Sequence, residues 1–250
     1  DMAEAYINRG IAKDELQRYD EAIADYSIAI EIKPTFAEAY LNRGLAKQAK
    51  GESLSAIDDY NKVLELKPNL LEALYYRGIA EYDVKNLQSA LTDFDSVIIM
   101  SPKMAQAYYQ RGITYAAMDN NNKAIDDLNK AIELNPNYYN AYLSRGYTRA
   151  ILENFIDAIA DFDKAIKLSP TSAIAYFNRG LANTSILQYD KAIEDFTNAI
   201  DINPGYLDAI NYRAEVRYRV EDKEGACQDW KRALELGDAN AKSSIKEFCK

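Results

Sequence analysis

The sequence predicts an all-α chain of stacked helical hairpins, and three observations carry that prediction. The six prolines, Pro34, Pro68, Pro102, Pro136, Pro170 and Pro204, each stand 34 residues from the next. Arg-Gly pairs keep the same step through Arg9-Gly10, Arg43-Gly44, Arg77-Gly78, Arg111-Gly112, Arg145-Gly146 and Arg179-Gly180, with Arg213-Ala214 as a seventh copy. Between these markers apolar residues recur at helical spacing, as in Ala22, Ile23, Tyr26, Ala29 and Ile30, and no alternating strand pattern appears. A fixed period without insertions marks an array of like units, each burying a face on its neighbour.

The units run 3–36, 37–70, 71–104, 105–138, 139–172, 173–206 and 207–240, in one array expected to span 1–250. The second unit shows the plan. Ala37 to about Lys50 forms a first helix, a turn sits near Gly51, and Leu54 to Leu66 forms a second. Pro68 then stops the chain, because its ring cannot donate a hydrogen bond and disfavours helix in the residue before it. Past the seventh unit, Gly237 fits a helix C-cap, and 241–249 reads as an amphipathic capping helix with Ile245 and Phe248 on one side. A terminal repeat needs such a lid over its apolar face. No comparable cap precedes residue 3, so that end is expected either to have lost upstream residues or to meet another surface. Cys227 and Cys249 lie on either side of Gly237 at similar heights in an antiparallel hairpin, which leaves two readings: packed apolar side chains, or a disulfide pinning the lid.

Composition removes whole classes of chemistry. Of 250 residues, 39 are acidic and 30 basic, a net charge of −9 that repels phosphate backbones and argues against nucleic acid. The chain has no histidine, which takes away the commonest general base and metal ligand. Two cysteines build no zinc knuckle. No apolar run approaches a membrane span, so membrane insertion is not expected. No catalytic residue, cofactor or metal is predicted, and a soluble protein of the cytoplasm or of an exported, periplasmic kind fits equally.

Tyr40, Gly44, Ala56, Tyr60 and Pro68 occupy the fourth, eighth, twentieth, twenty-fourth and thirty-second places of the second unit. Tyr176, Gly180, Ala192, Phe196 and Pro204 do so in the sixth. This pattern resembles the tetratricopeptide repeat, over residues 3–240. Departures are few: Leu74 and Ile210 replace the first aromatic, Leu128 the second, and Asp238 the last proline. The tail, Gly225-Ala226-Cys227-Gln228-Asp229-Trp230 and then Leu236-Gly237-Asp238, resembles the ends of tetratricopeptide proteins from Bacteroidetes-type bacteria. The resemblance implies a right-handed α-solenoid with a concave groove lined by the first helices. It also implies that the glycine and the twentieth-place alanine face one another across the hairpin, and that the aromatics fill the gap between hairpins.

Every unit carries Arg at its seventh place and Asp at its twenty-third, both eight residues from the turn, so the two meet across the hairpin. A ladder of anion-binding arginines is one interpretation. A ladder of bidentate structural pairs is favoured, since ligand sites rarely repeat unvaried in every copy. The doublets Asp58-Asp59 and Asp126-Asp127 do not converge, because adjacent helical positions point about 100° apart. Asp119-Asn120-Asn121-Asn122 lacks the glycine and closing Glu of a calcium loop and reads as a turn.

Carried over from the family, the groove gathers Tyr75, Tyr76, Tyr82, Tyr109, Tyr147 and Phe177, with Asn42 and Asn178 as polar contacts. Glu4, Glu38, Glu72, Asp83 and Asp208 flank it. Tyrosine offers a large apolar body and a polar tip at low entropy cost, and it is favoured where partners bind. The carboxylate clamp of chaperone-binding members is absent. Asn8 and Asn42 match one clamp position, but Ile7, Leu41, Ile11, Leu45, Glu72 and Tyr76 occupy the others. The expected function is a non-catalytic scaffold holding a protein or peptide with apolar anchors and some positive charge. The alternative is a structural subunit of a larger assembly, contacting partners or further copies of itself through its N-terminal end or convex face. A catalytic role has no supporting residue pattern in this chain.

Overall fold

The computed structural model describes residues 2–249. Fifteen α-helices and no strand occur among these residues, in two compact units, Asp1–Leu134 and Asn135–Lys250. The first unit holds four hairpins: α1 (Met2–Glu15) with α2 (Tyr19–Ile32), α3 (Ala37–Ala49) with α4 (Ser53–Leu66), α5 (Leu71–Asp83) with α6 (Leu87–Met100), and α7 (Ala105–Ala117) with α8 (Asn121–Leu134). The second holds three hairpins and the lid: α9 (Tyr139–Ile151) with α10 (Phe155–Leu168), α11 (Ala173–Ser185) with α12 (Tyr189–Ile202), α13 (Leu207–Arg219) with α14 (Lys223–Glu235), and α15 (Ala241–Phe248). The division falls between whole hairpins, in the connection that follows α8.

Each hairpin turns in the same way. The residue at the fifteenth place adopts the left-handed conformation in all seven: Gln17, Gly51, Lys85, Asp119, Glu153, Leu187 and Glu221, with φ between 57° and 80°. The next amide closes a six-to-one bond onto the helix, as Glu52 N–H does to the Lys47 carbonyl at 2.9 Å and Gln188 N–H to that of Asn183 at 2.9 Å. This is the Schellman ending, which satisfies carbonyls that the helix leaves over. Between hairpins the proline begins a tight turn, closed for example by Phe36 N–H donating to the Lys33 carbonyl at 3.0 Å.

The core runs along the inside of each hairpin. Tyr26, Tyr60, Phe94, Leu128, Phe162 and Phe196, all twenty-fourth-place residues, are fully buried. Burying a ring of this size is worth roughly 1.5–3 kcal/mol. The glycine at the eighth place makes room for that ring. A Cβ on Gly146 would stand 2.7 Å from Phe162 Cε1, and one on Gly10 would stand 2.5 Å from Tyr26 Cε1. The ring is the nearest neighbour of the glycine of its own hairpin, and at Gly112, opposite the smaller Leu128, the carbonyl of the twentieth-place Ala124 is also among the nearest atoms, 3.3 Å from such a Cβ.

The lid is covalently fixed. Cys227 and Cys249 form a disulfide with Cα atoms 5.7 Å apart, tying the end of α15 to α14. The Phe248 ring packs 4.7 Å from Tyr218 and 5.6 Å from Trp230, centroid to centroid. Asn211 Nδ2 donates to Asp238 Oδ2 at 2.7 Å, holding the turn before α15 against α13.

Candidate partner-binding face

In the first unit, α5 and α7 carry Tyr75, Tyr76, Tyr82 and Tyr109, all half-buried. Tyr75 and Tyr82 lie seven residues apart and share one face of α5, and Tyr109 repeats the Tyr75 position one unit later. Tyr75 meets Tyr76 edge to face, with centroids 5.4 Å apart, and meets the core ring of Phe94 at 6.3 Å. Burial pushes the Tyr75 hydroxyl above its ordinary pKa, and a hydrogen bond with the Gln110 side chain offsets part of that. Tyr76 packs on the cluster of Tyr40, Leu41, Ala56 and Tyr60. The Lys85 ammonium lies over the Tyr82 ring, 5.4 Å from its centroid. Asn42, on α3, is half-buried and makes no side-chain hydrogen bond among the described residues. The flanking Asp83 accepts from Ser53 Oγ at 3.1 Å and so joins packing at the hairpin turn.

In the second unit, Tyr147 on α9 is the most exposed of the predicted aromatics, at 57%. Phe177 on α11 is drawn inward instead. Its ring lies 4.9 Å from Tyr206, 5.7 Å from Tyr212 and 5.8 Å from Phe196. Tyr212, at 41% exposure, therefore presents the outer surface of that aromatic group. Asn178 is half-buried beside it in sequence and makes no side-chain hydrogen bond among the described residues.

The Arg–Asp ladder is complete. Arg9 Nη2 reaches Asp25 Oδ1 at 2.6 Å and Nε reaches Oδ2 at 2.8 Å. Matching forks join Arg43 to Asp59, Arg77 to Asp93, Arg111 to Asp127, Arg145 to Asp161, Arg179 to Asp195 and Arg213 to Asp229. The aspartates are buried. Sequence reasoning missed the remaining nitrogen. Arg43 Nη1 donates to Ser27 Oγ at 3.0 Å, Arg77 to Asn61 at 2.8 Å and Arg111 to Asp95 at 2.6 Å. Arg179 repeats this with Asp163, and Arg213 with Thr197 at 2.9 Å. Each of these acceptors belongs to the preceding hairpin. These five arginines are thus engaged both within their own hairpin and with the one before it, whereas Arg9, in the first hairpin, keeps 58% of its side chain exposed.

Sequence profiles of the tetratricopeptide repeat match residues 15–51, 37–70, 105–138, 139–172 and 173–206. The chain belongs to the tetratricopeptide repeat family. Among solved structures, this tetratricopeptide chain resembles a tetratricopeptide repeat protein from Parabacteroides merdae at 20% identity and TM-score 0.74, over 100% of this chain and 99% of that one. It resembles the MamA protein at 30% identity and TM-score 0.61, over 67% and 92%. It also resembles YrrB, a tetratricopeptide protein with an unusual peptide-binding site, at 24% identity and TM-score 0.61, over 75% and 97%. No curated protein matches the chain. No helix of the described residues is long and apolar enough to cross a membrane.

Proposed function

We propose that this tetratricopeptide chain is a non-catalytic scaffold that binds a peptide or protein segment against the tyrosines of its first helices. One observation carries the proposal: Tyr75, Tyr76, Tyr82 and Tyr109 have part of each ring fixed in packing while part stays exposed. Rings held in this way lose little freedom on binding, so more of the contact energy is kept. In the second unit, Tyr147, Asn178 and the Phe177–Tyr212 group offer a similar mix of apolar and polar surface. The net charge of −9 favours a segment carrying positive charge beside its apolar anchors. Likeness to YrrB, a protein with a peptide-binding site, points the same way.

The test compares wild type with a Tyr82→Ala, Tyr109→Ala, Tyr147→Ala triple variant in pull-downs from the source cell. Folding of the variant is first checked by circular dichroism. Tyr75 and Phe177 are left in place because their rings support the core. A partner lost only with the variant supports the tyrosine face. A partner retained by both would place the interface at the ends or on the convex surface, as a structural subunit requires.

A further inference from the structure

In four hairpins a second basic side chain completes the surroundings of the buried aspartate. Lys13 Nζ lies 2.7 Å from Asp25 Oδ2 and Lys47 Nζ lies 2.7 Å from Asp59 Oδ2. Arg149 Nη1 lies 2.7 Å from Asp161 Oδ2 and Arg217 Nη1 lies 2.8 Å from Asp229 Oδ2. All four residues occupy the eleventh place of their units, one helical turn after the ladder arginine. In the fourth hairpin that place holds Tyr115, whose ring lies within 6.0 Å of the Arg111 guanidinium.

In the sixth hairpin the same place holds Asn183. It is 3% exposed, and its Nδ2 donates to Asp195 Oδ2 at 2.8 Å. The reverse placement of the amide would aim an oxygen at the carboxylate, so the N–H is committed and Oδ1 turns away. That Oδ1 is buried and has no hydrogen-bond partner. A cleft of about 280 Å³ opens at Asn183, lined also by Ile159, Asp163, Arg179, Lys191, Glu194 and Asp195. The cleft lies at the eleventh place, where Lys13, Lys47, Arg149 and Arg217 complete the aspartate's surroundings in four other hairpins, and it far exceeds what one water needs. A cleft of about 280 Å³ opens in the third hairpin as well, where Glu81 holds the eleventh place, but none of its lining residues carries an unpartnered buried atom.

The chemistry of an occupant follows from these groups. Arg179 spends its donors on Asp195 and Asp163, so what the cleft lacks is a further donor and a positive charge. Lys191 stays exposed at the rim and makes no ion pair among the described residues. An ammonium on a slim alkyl stem supplies three donors and the missing charge, as Lys13 and Lys47 do from within. The acidic chain attracts such a group.

We propose that the cleft at Asn183 is a receptor for a lysine side chain of a protein partner, which enters it as the external counterpart of Lys13 and Lys47. The site rests on the scaffold function of the chain but not on the tyrosine face. The test follows the backbone amides of residues 179–195 by nuclear magnetic resonance on the isotopically labelled full chain. The probes are N-acetyl-lysine N-methylamide, its norleucine counterpart and spermidine. The expected result is a saturable shift with the lysine compound, none with norleucine, and at least a tenfold weaker response in Asn183→Lys, where an internal ammonium fills the cleft. Asn183→Leu, which removes the acceptor, serves as the second variant and should lose the response too. Tyr82→Ala, Tyr147→Ala should leave it unchanged, so failure of the tyrosine face and failure of this site are distinguishable. Absence of a saturable shift would mean that water alone satisfies Oδ1, and would overturn the proposal. So would an equal response to norleucine, a response kept in both Asn183 variants, or a stronger response to spermidine, which would assign the site to a free polyamine.

Discussion

Arg111 Nη1 lies 2.6 Å from Asp95 Oδ1, so the guanidinium that closes its own hairpin on Asp127 also ties that hairpin to the one before it. A planar fork with an extra donor makes this double duty available to arginine and not to lysine. Arg111→Lys is therefore expected to lower stability by about 1.5–3 kcal/mol, the worth of a hydrogen bond to a charged group. Asp127→Asn, at the buried end, should cost a similar amount. Asp95 is half exposed, so Asp95→Asn should cost less than about 1 kcal/mol. Denaturant midpoints would check the order. Equal losses at Asp95 and Asp127 would contradict the division into a buried clasp and an outer tie.

The approach of glycine to ring predicts unequal tolerance of one extra methyl group. Gly146→Ala would place its Cβ 2.7 Å from Phe162 Cε1, a ring locked in the core. Overpacking of this kind costs about 1–3 kcal/mol. Gly112→Ala meets Leu128 Cγ at 3.1 Å, a milder contact, and gains up to about 1 kcal/mol in helix propensity. Thermal unfolding of the two variants should show a clear drop for Gly146→Ala and little change for Gly112→Ala.

Much of this architecture is legible in the sequence, because the 34-residue step makes every feature recur. The pairing of Arg with Asp follows from their equal distance to the turn, and it holds in all seven hairpins. The outer tie was also written there, since the twenty-fifth places in the units before Arg43, Arg77, Arg111, Arg179 and Arg213 hold Ser27, Asn61, Asp95, Asp163 and Thr197, all hydrogen-bonding side chains. Reading it requires knowing that the guanidinium spans two hairpins. The inward turn of Phe177 was not legible, because its partner Tyr206 stands at the far end of its own unit and Tyr212 comes from the following one, and only packing decides which ring is covered. The disulfide had two readings in sequence, and the position of α15 decides between them.

Six of the seven hairpin turns hold a side chain in the left-handed region, where an L-residue costs roughly 1–2 kcal/mol. Leu187, at φ 63°, is exposed and has little packing to lose. Leu187→Gly should therefore raise stability by about 0.5–1 kcal/mol, after the greater freedom of glycine in the unfolded chain is subtracted. Gly51→Ala should lower it by about 1 kcal/mol. A fall in the denaturant midpoint for Leu187→Gly would argue against this account of the turn.

The disulfide closes a loop between residues 22 apart, and loop-closure entropy of that size is worth about 3 kcal/mol. Reduction should loosen α15 while leaving the first unit unchanged. Trp230 is the single tryptophan and packs on Phe248, so it reports directly. Its emission should shift to the red on reduction and equally in Cys249→Ser. Faster hydrogen exchange in α15 with unchanged exchange in α1–α8 would complete the pattern.

Asp25 and Asp195 share one geometry and should titrate in opposite senses. The Arg9 fork, aided by Lys13, holds the Asp25 carboxyl below its ordinary value against the effect of burial. Its contribution to stability is present above the unfolded pKa of about 3.9 and is lost as pH falls through the lower folded value. At Asp195 burial outweighs the Arg179 fork, and Asn183 adds a neutral donor where Lys13 adds a charge, so the carboxyl is raised. The folded state then holds its proton more tightly than the unfolded one, and stability declines as pH rises through that window. Asn183→Lys should bring Asp195 down to the Asp25 side, with a rise in melting temperature at pH 7 that disappears as pH falls through the lowered folded value. Carboxyl carbon shifts followed against pH would resolve the two residues separately. An Asp195 midpoint at or below that of Asp25 in the wild type would show that the eleventh-place cation does not set the difference.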